Sequence, residues 1–497
     1  MKDNFIAAAV FTAALGVLAC GGCTMGPKYV RPTAPTATAY KEPGQEWKVA
    51  APSDAINKGA WWEIYQDPQL DALEDQVTAA NQSLKAAEDQ FTAARAAVRA
   101  ARSNFYPNAS VSPSAAGIGQ SQNKATYSNS GHQTYSDYQI PFDVAYEPDL
   151  WGRVRQSVES SRAQAQASAA DLANVALSLH AELATDYFDL RSMDSQAQLL
   201  QSTVDSYTKA LSLTQALYNG GLSSAVDVAQ AQTQLETTRA QLVEVGVQRA
   251  ADEHAIAVLV GKPASDFTVD AIPLTNPPPA IPVGLPSDLL ERRPDIAAGE
   301  RIVASENAQI GVARTAFFPN VLISATGGFD SGKITTLLQG PSGFWSLAGS
   351  AAETIFDGGA RRAAVQEAQA NYDQSVDNYR ETVLSAFQEV EDNLAALRIL
   401  ETEATTQAGA VAAAQHSLTL SETRYRGGVT NYLEVTTAQS AALSDERTAV
   451  TILARRMAAS VLLIKALGGG WNVSQMPQIS QAPQMPQPAQ VSQLQHP

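Results

Sequence analysis

The chain has two thiols, Cys20 and Cys23, both close to its start. Lys2 precedes an apolar run from Phe5 to Leu18, which is short for a ~30 Å hydrocarbon layer and has the form of a secretory signal peptide. Small residues stand directly before each cysteine, Val17-Leu18-Ala19 before Cys20 and Gly21-Gly22 before Cys23. The chemistry this arrangement predicts is cleavage followed by acylation of the new N-terminal cysteine. Either thiol fits: Cys20 has the better hydrophobic-then-small tripeptide, and Cys23 lacks the usual leucine before it. Export by this route places the mature chain outside the cytoplasm of a bacterium, and acyl chains tether it to a membrane.

The other reactive side chains form no catalytic constellation. Of the five histidines, His132, His180, His254, His416 and His496, no two stand at metal-ligand spacing, and Gly261-Lys262-Pro263 lacks the upstream glycine and following Ser/Thr of a phosphate loop. No nucleophile pairs with a base, so no enzyme activity, metal or cofactor is expected. Against 34 basic side chains stand 50 acidic ones, a net charge of −16 over 497 residues, which offers no counter-charge to nucleic-acid phosphates and excludes that class of partner. Beyond Cys23 no disulfide is possible, so packing alone must hold the body together.

The body repeats itself once. Ala101-Arg-Ser-Asn-Phe-Tyr-Pro-Asn108 recurs 212 positions later as Ala313-Arg-Thr-Ala-Phe-Phe-Pro-Asn320. The stretch from Tyr218 to Gln232, opening Tyr-Asn-Gly-Gly, recurs 207 positions later from Tyr425 to Gln439, opening Tyr-Arg-Gly-Gly. Between the halves, residues 263–286 carry seven prolines and cannot form regular helix or an inner strand. The organisation expected is a signal peptide (1–22), a lipidated N-terminal segment (23–60), a first repeat (61–262), a Pro-rich junction (263–286), a second repeat (287–471) and a flexible Gln/Pro-rich tail (472–497).

Within each half a long helical stretch dominates. From Trp151 to about Ala216 there is no proline, and an apolar stripe from Leu172 through Leu183, Tyr187, Leu190, Leu200, Val204 and Tyr207 to Leu211 recurs every ~3.5 residues, the coiled-coil period. A helix of some 65 residues is about 100 Å long, too long for a compact globular domain. The counterpart from Gly359 to about Thr423 is also proline-free. Gly220-Gly221 and Gly427-Gly428 turn each helix back into a second one, making two helical hairpins.

A smaller β part accompanies them. Tyr138, Ile140, Phe142, Val144 and Tyr146 alternate with mostly polar neighbours, a period of two with aromatic residues at both ends. Val321 to Phe329 alternates less cleanly, and 109–120 and 344–356 complete two expected strand pairs with polar tips at 120–134 and 330–343. Four strands cannot close a membrane barrel, since closed barrels begin at about eight, and an open edge in lipid leaves backbone groups unpaired. Strands of this kind enter a membrane only if several chains share one barrel. After residue 20 no stretch is apolar enough for a transmembrane helix.

With these motifs in place the chain resembles the outer-membrane factor family of TolC-like efflux channels, and within it the NodT-type lipoprotein branch. Cys23-Thr-Met-Gly-Pro-Lys-Tyr-Val-Arg-Pro32 matches the branch's N-terminal pattern and favours Cys23 as the lipidated residue, with Cys20 as the alternative. Trp62 to Leu70, Leu290 to Ile296, Ile310 to Pro319, Ile355 to Gly359 and Ala386 to Asp392 are similar to its other signatures. The resemblance implies a homotrimer sharing a 12-stranded β-barrel, continued by an α-helical barrel in the periplasm. It also implies passive export from an inner-membrane pump through a periplasmic adaptor protein. The same resemblance places a periplasmic gate at the hairpin turns, with Asp227, Glu434, Tyr425 and Thr430 at matching positions. Carboxylates repeated by three-fold symmetry form rings of negative charge that favour cations. Thr430 and Thr437 stand where related channels often carry charge, so Glu434 is expected to act almost alone. The rival reading is a lipid-anchored periplasmic coiled-coil spacer, which has no use for alternating strands.

Overall fold

A computed structural model describes residues 25–35, 37, 39–41, 60–119, 121, 134–281, 289–471 and 474. The expected signal peptide, Cys20, Cys23 and nearly all of the Gln/Pro-rich tail lie outside the described residues. No described helix is long and apolar enough to cross a membrane.

The chain is mostly helical, and the three longest helices of one half match those of the other in length. After a 3-10 turn at Trp61–Tyr65 come α1 (Pro68–Ala80) and α2 (Gln82–Ser103). The strands β1 (Asn108–Val111), β2 (Ser114–Gly119) and β3 (Thr134–Tyr146) follow, then α3 (Arg153–Asn219) and α4 (Ala225–Leu259). The second half holds α5 (Leu289–Arg292), α6 (Pro294–Thr315), β4 (Asn320–Ser331), β5 (Gly343–Ala352), α7 (Ala360–Arg426) and α8 (Tyr432–Ala466). α2 and α6 both have 22 residues, α3 and α7 both 67, α4 and α8 both 35. At ~1.5 Å per residue α3 and α7 are each about 100 Å long.

Local chemistry sets the ends. Asp67 caps α1 by accepting from the Gln69 and Leu70 amides, with Pro68 at the first helical position. Asn81 caps α2 through Leu84 N–H, and its amide group donates to Leu259 O at 2.8 Å. Gly221 and Gly428, at φ 77° and 68°, close α3 and α7 with six-to-one bonds from Leu222 N–H to Leu217 O (2.8 Å) and Val429 N–H to Arg424 O (2.9 Å).

The strands form one antiparallel sheet in the order β1/β2, β3, β4, β5. β1 and β2 both pair with β3 and together fill one strand position. The single strand expected over 109–120 is thus interrupted at Ser112-Pro113, where proline has no amide hydrogen to give the ladder. β5 ends at Ala352, four residues before the expected limit. Pro141 sits inside β3 opposite Gly328; a Cβ on Gly328 would lie 2.1 Å from Ile140 O, so glycine is what allows the two strands to approach there. Among the described residues no helical layer covers the sheet: Trp345 is 82% exposed and Leu347 67%. The outer edges of β1/β2 and β5 have no partner strand among the described residues.

The core lies elsewhere, in a belt where the helices cross. Trp61, Leu70, Val77, Leu183, Tyr187, Leu190, Ile256, Ile296, Val303, Tyr379, Val383, Val390, Val461 and Ile464 are buried together. Inside this belt Glu74, with no exposed surface, meets His180 Nδ1 at 2.6 Å, and Trp62 stacks on the imidazole at 4.4 Å. Burial, reinforced by Asp71 and Asp75, pushes the Glu74 carboxyl up to about 9. Burial pulls His180 down to about 4, against the opposing field of Asp75. Both groups are therefore neutral at pH 7, the carboxyl donating to Nδ1 and Nε2–H facing the Thr78 hydroxyl at 3.4 Å.

The described part of the Pro-rich junction, residues 263–281, has no ladder to satisfy its backbone, and side chains of α3 and α4 do so instead. Asp194 accepts from Ile272 N–H (3.0 Å), Ser195 from Leu274 N–H (2.7 Å) and Glu253 from Val269 N–H (2.6 Å). Arg191 and Arg249 donate to Ile272 O and Val269 O.

Candidate gate at the hairpin tips

The four residues singled out from the resemblance lie at the ends of the two hairpins in two hydrogen-bonded groups, Asp227 with Tyr425 through Ser223, and Thr430 with Glu434. Asp227 lies in the first turn of α4, where it forms a capping box with Ser224: Asp227 N–H donates to Ser224 Oγ and Ser224 N–H to Asp227 Oδ2, each at 3.2 Å. The same oxygen accepts from Ser223 Oγ at 2.8 Å. Since that serine's proton is committed, Tyr425 OH donates across to Ser223 Oγ at 3.2 Å. Burial alone would raise the Asp227 carboxyl, but bonds from the Ser224 amide, the two serine hydroxyls and the Tyr432 amide outweigh it and hold the group below its usual range. Asp227 is thus both a helix cap and a tie between the hairpins of the two repeats.

Glu434 does not act alone. Arg424 Nη1 donates to its Oε1 at 2.8 Å and Thr430 Oγ1 to its Oε2 at 2.5 Å. Thr430 supplies a hydroxyl where a charge was expected, and Arg424, ten residues before Glu434 on the other side of the turn, supplies the charge. Thr437 takes no part, since its hydroxyl donates to Leu433 O in its own helix. The Arg424 and Glu434 side chains are 54% and 35% exposed; a pair so accessible to water contributes about 1 kcal/mol or less, a bond easily made and broken.

Behind these polar ties Tyr425 and Tyr432 pack edge to face, their rings 5.1 Å apart at 67°, with Ala231 and Val435. Further along the helices Tyr207 OH donates to Gln439 O at 3.2 Å and Gln234 Nε2 to Ser440 Oγ at 3.2 Å. Sequence reasoning missed Ser223, Arg424, Tyr432 and Gln439. Aligning the repeats offers the one signal for Arg424 and Tyr432, since the corresponding positions hold Leu217 and Ala225. The arrangement has no nucleophile held by a base. It holds the ends of the two hairpins together.

The family described as "Outer membrane efflux protein" matches residues 73–262 and 285–469. The toluene efflux pump outer membrane protein TtgF of Pseudomonas putida is 31% identical over 491 residues, covering 97% of this chain and 100% of that protein. The structure is similar to that of the outer-membrane channel OprN, with a TM-score of 0.82 and 29% identity over 90% of this chain and 100% of that one. It is also similar to the open state of the Neisseria gonorrhoeae MtrE outer membrane channel, with a TM-score of 0.78 and 27% identity over 90% of this chain and 98% of that one. With both repeats matched and nearly the whole chain aligned to relatives of the same fold, this protein belongs to the outer membrane efflux protein family.

Proposed function

We propose that the chain is the outer-membrane channel of a tripartite efflux or secretion system, a homotrimeric duct that passively conducts solutes from a periplasmic adaptor and inner-membrane pump to the exterior. The observation that carries this reading is the uncovered sheet with two open edges. Three copies of four strand positions close into a 12-stranded barrel, which pairs both edges and turns the exposed apolar residues toward lipid.

Helix burial points the same way. α6 lies between α3 and α7 and is buried along its length, whereas its repeat counterpart α2 rests on α3 and buries only Leu84 and Val98. The neighbour that α2 lacks is the α7 of a second copy. Asp227, Tyr425, Thr430 and Glu434, together with Arg424, form the periplasmic gate of this duct.

Cys23 is the acylated residue of the proposal. The segment after it runs down the helices: Pro27 O accepts from Asn307 Nδ2 (3.0 Å), Tyr29 OH donates to Glu300, Thr33 O accepts from Arg380 (3.3 Å), and Lys41 N–H donates to Glu391 (2.6 Å). Its leading end therefore lies toward the sheet, where a lipid anchor belongs.

The test is in-cell crosslinking of a tagged copy followed by mass spectrometry of the proteins recovered. Recovery of a periplasmic adaptor with its pump, and an acylated mature chain beginning at Cys23, is the expected outcome. Recovery of cell-wall material without either partner would favour the spacer reading, and a chain beginning at Cys20 would move the anchor.

A further inference from the structure

The motif that opens each strand pair carries an arginine outside both the gate and the core belt. Arg102 on the last turn of α2 and Arg314 on the last turn of α6 occupy equivalent positions 212 apart. Arg99, one turn before Arg102, shares its helix face. Among the described residues neither Arg99 nor Arg314 has a carboxylate partner, in a chain with 16 more acidic than basic side chains. The aromatic pairs Phe105-Tyr106 and Phe317-Phe318 follow directly, just where helix gives way to strand; Tyr106 is 65% exposed. Trp151 stacks on Phe318 at 5.0 Å and donates to Pro319 O. Cations backed by aromatic rings at one level are the composition of a membrane–water boundary.

The N-terminal segment identifies which side of the helices this is. A Cβ on Gly26 would come within 3.1 Å of Gly311 Cα, so the segment crosses α6 at Gly311, the position equivalent to Arg99. Arg314 lies one turn beyond, toward the sheet. Given the channel reading and the anchor at Cys23, on which this inference rests, that face is the outer one.

We propose that Arg99, Arg102 and Arg314 form a belt that binds the phosphates of phospholipid headgroups in the periplasmic leaflet of the outer membrane, and so sets the depth at which the channel sits. Guanidinium groups bind phosphate oxygens in pairs, and the aromatic rings lie at the level of the acyl boundary. The first repeat binds with two arginines, whereas in the second the N-terminal segment takes the place of one.

The test uses the full-length chain, purified and delipidated in detergent, with dioleoyl-phosphatidylglycerol binding measured by native mass spectrometry. Single variants Arg99→Gln and Arg314→Gln are expected to weaken binding about fivefold each, and Arg99→Gln/Arg102→Gln/Arg314→Gln about a hundredfold. The triple Lys variant, which keeps the charges but loses the paired bonds, should bind more weakly than wild type and more tightly than the triple Gln variant. Binding by the Gln variants equal to wild type overturns the belt, as does full displacement of the lipid by millimolar inorganic phosphate, which would make it a free-phosphate site. Conductance of the same preparations separates the two readings: a conducting wild type with unchanged lipid binding in the variants removes the belt alone, while a wild type that never conducts removes the channel beneath it.

Discussion

Glu74 and His180 show how far a buried group departs from its behaviour in water. A carboxyl pushed up to about 9 is protonated in the fold and ionised in the unfolded chain at neutral pH. Its contribution to stability is complete below the ordinary carboxylate range and declines as pH rises toward 9. Glu74→Gln keeps a neutral donor facing His180 Nδ1 without the proton uptake, so it should stabilise the protein at pH 8 by on the order of 1–3 kcal/mol and hardly at all at pH 5. Thermal unfolding at the two pH values checks this, and an equal shift at both would show that Glu74 is ionised in place. Nothing in the local sequence announces this pair, because the burial that shifts it comes from α1 meeting α3 across about a hundred positions. The same holds at the tips. Asp227 and Glu434 were singled out only through the family resemblance, while Ser223 and Arg424 emerge only once the turns bring them within hydrogen-bonding distance.

Elements were legible where one period persisted over many residues. The absence of proline and the ~3.5-residue stripe fixed α3 to within a few residues of Arg153–Asn219, and the second repeat supplied an independent copy in α7. Strands were harder to delimit, since alternation over five residues says little about where a ladder stops. The break at Ser112-Pro113 follows from a missing amide hydrogen, whereas Pro141 is accommodated inside β3 because Gly328 faces it. Gly328→Ala should therefore destabilise the sheet by about 1–3 kcal/mol per copy and lower the temperature at which trimers dissociate in detergent. Gly327→Ala, whose Cβ would meet its nearest neighbour at 3.6 Å, is expected to have little effect. Equal behaviour of the two variants would mean that the close approach at Ile140 is not a constraint.

At the scale of the molecule a single chain is incomplete. It has a helical core belt and, among the described residues, a sheet with open edges and no covering layer and a helix, α2, buried on one side only. The sequence showed this incompleteness through the strand count, while the unequal burial of α2 and α6 required the structure. As proposed, the assembled chain is a gated pore, and single-channel recording in planar bilayers tests that most directly. Wild-type protein should give small, discrete, cation-selective steps. Tyr425→Phe with Glu434→Gln, which removes the tie to Ser223 and the ion pair to Arg424 while keeping the aromatic packing, should give larger steps or longer openings. Absence of conductance from assembled trimers of both forms would contradict the account.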